Sequence, residues 1–161
     1  MMVLRKFLTA AVVASLYMGG FCASAGSRGG FMANQERQDA ATVDGLPAEI
    51  RAEVRKWEAA CGRPLLATRS LTRFIEVSND RFIALHFHAL SCRNGSAICG
   101  EAGCLHEVYA SKDGRYRRVM SLHVQDITLK RVSGDAAVEI DCAFAGCPQL
   151  LWWNGNRFVK R

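Results

Sequence analysis

Beyond Pro64 the chain is written as pairs of short β-branched and aromatic runs separated by turn residues, and no other feature limits the fold so strongly. "SLTRFIEV" and "RFIALHFHAL" flank Ser78-Asn79-Asp80, "LHEVYAS" and "RYRRVMSL" flank Lys112-Asp113-Gly114, and "VQDITLKRV" and "AAVEIDCAF" flank Ser133-Gly134-Asp135. "QLLWW" and "RFVKR" bracket Asn154-Gly155, the pair that most favours a two- or three-residue hairpin loop. Seven or eight such strands in about 95 residues predict a mainly β fold with a minor α part: an antiparallel β-meander forming a sandwich or open barrel.

Two strands can be placed within that arrangement. In "AAVEIDCAF", Val138, Ile140 and Cys142 alternate with Glu139 and Asp141, so one face is wet. "FIALHFHAL" is apolar on both faces apart from His86 and His88, which predicts a central strand. Ahead of the strands, Ile50, Val54, Trp57 and Cys61 fall at i, i+4, i+7 and i+11, one face of an N-terminal amphipathic helix. Pro47 suits its first position and Gly62 a left-handed C-terminal cap. Trp57 is expected in the core.

The first 25 residues read as a secretory signal. Arg5 and Lys6 form the basic end, "FLTAAVVASLYMGGF" the apolar stretch, and Ala23-Ser24-Ala25 the cleavage site. The stretch is shorter than the roughly 20 residues that span a bilayer. Phe21 before Cys22 fits a lipoprotein signal poorly. Residues 26–45, rich in Gly, Ser and Ala without a sustained period, read as a flexible leader, and residues 46–161 as a single domain.

Export sets the reading of the cysteines. Six follow the cleavage site: Cys61, Cys92, Cys99, Cys104, Cys142 and Cys147. An even number in an oxidising compartment, periplasmic or extracellular, points to disulfides. The close pairs "CGEAGC" and "CAFAGC" have C-x4-C spacing, whereas zinc knuckles and thioredoxin-like sites use C-x2-C. Six cysteines allow 15 pairings; two local clips, Cys99–Cys104 and Cys142–Cys147, with Cys61–Cys92 as the long bridge, are the expected set.

The formal charge of +6 falls to +4 without Arg5 and Lys6, 19 basic residues against 15 acidic. The basic residues are scattered, with only "RYRR" and "RFVKR" as local groups, so nucleic acid is not an expected partner. Half of the residues are apolar, enough for a core in a mature chain of about 136 residues. After signal cleavage no membrane span is expected.

From Pro47 onward the pattern resembles small secreted, Cys-rich bacterial proteins related to FG-GAP or VCBS repeats. There a short helix ending in Cys leads to a strand, a calcium-type turn, a hydrophobic strand and a Gly-rich cysteine loop resembling "CRNGSAICGEAGC". A hairpin like "EVYASKDGRYRRV" and an end like "LLWWNGNRF" follow. The likeness spans about residues 47–159. It implies fold and compartment rather than activity. In "EVSNDRFIAL" Asn79 and Asp80 remain, but the run of carboxylates and the glycine that calcium needs are missing.

Function is less legible. No G-x-S-x-G occurs, and the cysteines are assigned to bridges, so nucleophilic catalysis is not expected. Glu76, Glu101, Glu107, Asp126, Glu139 and Asp141 are available for paired-carboxylate hydrolysis, with nothing in the sequence bringing two together. His86 and His88, spaced i, i+2, fall on one side of a strand. They read first as structural histidines bonded to neighbouring strands, and in the alternative as zinc or copper ligands with a third from His106, His123, Glu139 or Asp141. No cofactor is assigned.

The working expectation is a non-catalytic binding or accessory protein of the cell envelope, its partner another protein or a polysaccharide such as peptidoglycan. Trp153, Tyr116, Arg117 and Arg118 are the candidate surface, since an indole on a hairpin can stack on a sugar ring. Two alternatives stand beside it: an inhibitor or immunity-type protein that plugs a hydrolase with the rigid Cys92–Cys104 loop, and a metal-binding protein or metalloenzyme using His86 and His88.

Overall fold

The computed structural model describes residues 37–142 and 150–161. The expected signal, residues 26–36 of the expected leader, and Cys147 lie outside the described residues. Three short helices come first: α1 (Ala41–Asp44), α2 (Ala48–Arg55) and α3 (Glu58–Cys61). Ile50, Val54 and Cys61 are buried and Trp57 packs beside them, so the periodic face points into the core as expected. The single helix expected from Pro47 is instead two pieces. At Lys56 and Trp57 the backbone N–H groups bond three residues back, to Glu53 and Val54, and this tightening ends α2 while keeping the apolar side in line. Pro47 is the extended residue before α2, not its first turn. Gly62 has φ +90° and donates to the Glu58 carbonyl at 2.8 Å.

The end of the expected leader belongs to the domain. Asp39 pairs with Ala67 in an isolated bridge, its carboxylate accepts the Thr42 N–H at 2.9 Å, and Val43 is buried. One helical turn is too short to show a period, which is why this segment reads as unstructured.

Two antiparallel sheets follow. The first contains β1 (Thr72–Val77), β2 (Asp80–His86), β3 (Cys99–Gly100), β4 (Gly103–Lys112) and β5 (Arg115–Val124), in the order β1-β2-β4, with β3 and β5 also paired to β4. The second runs β6 (Asp126–Val132), β7 (Asp135–Asp141), β8 (Leu150–Trp153), β9 (Phe158–Val159) in chain order. The fold is mainly β and sandwich-like, without barrel closure. Helix-side core residues include Ile50, Val54, Ile83, Leu85 and Leu105. Phe82, Ala84, Val108 and Ala110, on the opposite side chains of the same strands, pack with Ile127, Val138 and Ile140 of the second sheet. The first sheet is therefore a middle layer, which explains why "FIALHFHAL" lacks a polar face.

Turn chemistry fixes the hairpins. Asp113-Gly114 and Ser133-Gly134 all have positive φ, as type I′ loops require. Asn154-Gly155 opens a four-residue loop rather than the expected shorter one, because the Asn154 side chain accepts N–H bonds from Asn156 at 3.0 Å and Arg157 at 2.9 Å. Gly103 has φ +113°, and a Cβ there would lie 2.1 Å from the Val124 carbonyl oxygen, so only glycine fits beside β5.

Disulfides join Cys61 to Cys92 and Cys99 to Cys104, two of the three expected bridges. Cys142 is disulfide-bonded as well, while its expected partner Cys147 falls outside the described residues. The cysteine-rich loop is thus stapled at both ends. Among the described residues no helix is long and apolar enough to cross a membrane.

Candidate metal centre

His86 closes β2, and its backbone partner across the ladder is His106 of β4. Both point to the same side as Phe82, Ala84, Val108 and Ala110, so they continue the apolar row that packs on the second sheet. After His86 the strand gives way to a single 3₁₀ turn, Phe87–Ala89, which returns the exposed His88 to the same place. The expected strand geometry holds for His86 alone; the turn brings the i, i+2 pair together by a different route.

The three rings form a nearly equilateral triangle. Centroids are 5.1 Å apart for His86 and His106, 5.7 Å for His88 and His106, and 5.9 Å for His86 and His88. One ring nitrogen from each lies within 4.8 Å of the others. Ligand nitrogens around a tetrahedral zinc stand about 3.3 Å apart, given bonds of about 2.0–2.1 Å. Ligation by all three rings would draw these nitrogens closer together, with the exposed His88 the least confined of them.

Asp126, the first residue of β6, completes the arrangement. Its Oδ1 is 3.1 Å from His86 Nδ1 and accepts the Ile127 N–H at 2.8 Å. A carboxylate accepts, so His86 carries its proton on Nδ1 and keeps its lone pair on Nε2. His86 Nε2 and both ring nitrogens of His106 are buried without a hydrogen-bond partner among the described residues. The Gln125 backbone acts on His106 in the direction that favours its protonated form, and the Asp126 carboxylate stands 3.9 Å from its Nδ1. Neither completes a bond.

Burial sets the protonation. It lowers the His106 pKa to about 4, helped by the charge of His86 and opposed by Asp126. It also lowers the pKa of His86, against the pull of Asp126. Both imidazoles are neutral at pH 7, the form that ligates metals. A cleft of about 380 Å³ opens over the group, with Ser70, Arg73, Asp126 and Thr128 on its walls.

These positions revise the expectations. Of the hydrogen bonds that the structural reading expects, His86 makes one to the Asp126 carboxylate, while at His106 the Gln125 backbone is a polar contact and no ring nitrogen meets hydrogen-bond geometry among the described residues. Of the candidates for a third ligand, His106 joins the group. His123 is exposed on the other side of β5, and Glu139 is exposed and paired with Lys130 at 2.9 Å. Asp141 is the cross-strand neighbour of Asp126 but is not part of the triad. The roles of Asp126 and Arg73 were invisible in the sequence, since each reaches the site from a strand whose register only the packed sheets define.

The residues of the expected binding surface are partly engaged in contacts within the domain. Trp153 packs edge-on against Phe82 at 5.1 Å and beside Phe158 at 5.3 Å, and its N–H donates to Asp80 at 2.8 Å. Its indole is therefore half-buried against the core between the sheets, and Asp80 is its acceptor. Tyr116 packs on the helix-side core, Arg118 donates to the buried Glu107 at 2.7 Å, and Arg117 reaches the Asn156 carbonyl at 2.9 Å. Glu107 also accepts the Tyr109 hydroxyl at 2.5 Å, so this carboxylate is saturated by internal donors.

Comparison with family models, with curated proteins and with solved structures returns no match. The resemblance to FG-GAP or VCBS-type secreted proteins rests on the quoted motifs alone.

Proposed function

We propose that this is a transition-metal-binding protein. More particularly, it is an exported, disulfide-stapled domain that holds one zinc or copper ion through His86, His88 and His106, with Asp126 orienting His86. The observation that carries the reading is His106: a fully buried imidazole, neutral at pH 7, with both nitrogens unpaired and two other imidazoles facing it. A core histidine is normally retained with partners for its polar atoms, because leaving them unpaired costs about 1–3 kcal/mol each. A metal ion supplies the missing partner. Three imidazoles suit zinc or copper rather than calcium or magnesium, and three protein ligands beside a cleft leave a coordination position open. The disulfides fit an oxidising compartment, and the N-terminal sequence pattern supplies the route.

The test is metal content of untagged protein recovered from the periplasm, followed by reconstitution after chelation. We expect one equivalent of zinc or copper per chain, reduced below a tenth of an equivalent in His106→Leu. Wild-type protein that stays metal-free after incubation with excess of either ion refutes the reading.

A further inference from the structure

We propose that the open position on the metal is a binding site for a small oxyanion, a carboxylate or phosphate group, held between the ion and the guanidinium of Arg73. The inference rests on the metal reading above and adds the class of ligand.

Arg73 lies on β1 and lines the same cleft as His86 and His88. It is exposed and forms no ion pair or hydrogen bond with the described residues. Other arginines of the domain neutralise a carboxylate: Arg118 with Glu107, Arg55 with Asp44, Arg161 with Asp135. Arg73 faces the cleft instead.

Charge balance points the same way. Asp126 is the acidic side chain of the cleft wall, and its Oδ1 is occupied by the His86 and Ile127 N–H groups. With neutral imidazoles, a divalent ion and Arg73 against Asp126 leave two positive charges facing the opening. An anion relieves that excess, and a cation would raise it. A guanidinium presents two parallel donors that match two oxygens of a carboxylate or phosphate, while a third oxygen or the second carboxylate lone pair can reach the ion. The hydroxyl-bearing Thr128 stands on the opposite wall from β6. The cleft, about 380 Å³, is near the lower end of ligand pockets, which selects a small ligand or the acidic end of a larger one.

The test uses cobalt(II) in place of the native ion, because its visible absorption reports a change at the coordination sphere. Cobalt-loaded protein is titrated with inorganic phosphate, with acetate, and with imidazole, a neutral ligand that takes the open position without needing Arg73. We expect phosphate or acetate to shift the cobalt bands, the tighter of the two identifying the group. Arg73→Gln should keep one equivalent of cobalt, weaken the anions at least tenfold, and change imidazole affinity less than twofold, with Arg73→Lys between. Cobalt bands indifferent to both anions, or equal weakening of anion and imidazole in Arg73→Gln, overturn the inference and leave the metal reading standing. Failure of the wild-type protein to take up cobalt, zinc or copper removes the metal reading, and the oxyanion site with it.

Discussion

Replacing His106 by leucine separates a ligand from a structural histidine, because the two roles predict opposite signs. In metal-free protein the imidazole is fully buried with both nitrogens unpaired, and each such group costs about 1–3 kcal/mol. Leucine has similar bulk and no polar atom. His106→Leu is therefore expected to stabilise the metal-free fold at pH 7.5 by about 1–3 kcal/mol while abolishing metal uptake. Acid widens the gap. With a native pKa of about 4 against about 6.5 in the unfolded chain, the unfolded state binds the extra proton between those values, so wild-type stability falls as pH drops from 6.5 to 4. The difference of about 2.5 pH units amounts to roughly 3 kcal/mol by pH 4, at about 1.4 kcal/mol per unit. The leucine variant lacks this contribution. Urea denaturation of both proteins in chelator at pH 7.5, 6, 5 and 4 measures it. A variant less stable than wild type at pH 7.5, or two stability curves that run parallel through this range, would refute the assignment and return His106 to the structural residues.

Four further outcomes are expected. Removing Cys61 and Cys92 together should cost roughly 3–4 kcal/mol in denaturant unfolding, and removing Cys99 and Cys104 only about 2 kcal/mol, since the closed loops differ as 31 to 5 in sequence separation; equal losses would contradict the loop account. Gly103→Ala should destabilise by more than about 2 kcal/mol, because its Cβ meets the β5 backbone at a positive φ; an unchanged urea midpoint would count against this close approach. Tyr109→Phe should lose about 1.5–3 kcal/mol, the range for a hydrogen bond to a buried carboxylate, and a neutral result would mean that Glu107 is satisfied without it. Trp153→Ala should cost about 3 kcal/mol or more through lost packing on Phe82 and Phe158, read as a fall in melting temperature, while leaving metal content intact.

The legible part of this chain was the part written locally. Strand pairs around Asp113-Gly114 and Ser133-Gly134 announce themselves because I′ loops demand those residues, and the face of Ile50, Val54 and Cys61 needs only the helical period. Cys99 and Cys104 are close in sequence and so paired predictably. The site is a different matter. His86 and His88 are visible as a pair, but His106 joins them through the β2–β4 register and Asp126 through packing of the second sheet on the first. No local pattern encodes either. Trp153 shows the same limit: alternation along "LLWW" separates two indoles onto two faces without saying that the Trp153 side meets Phe82 and Phe158.

β4 has hydrogen-bonded neighbours along both edges and packed layers over both faces. Its central amides therefore reach solvent only when the whole domain opens, and their deuterium uptake should report global unfolding, whereas β1 and β9 exchange through local fraying. His106 stands in that slowest-exchanging strand, with His86 directly across from it, while His88 rides on a single turn at the rim of the cleft. Two of the three imidazoles are thus fixed by the sheet, and under the proposed metal reading the third would be the one to adjust to the radius of the ion.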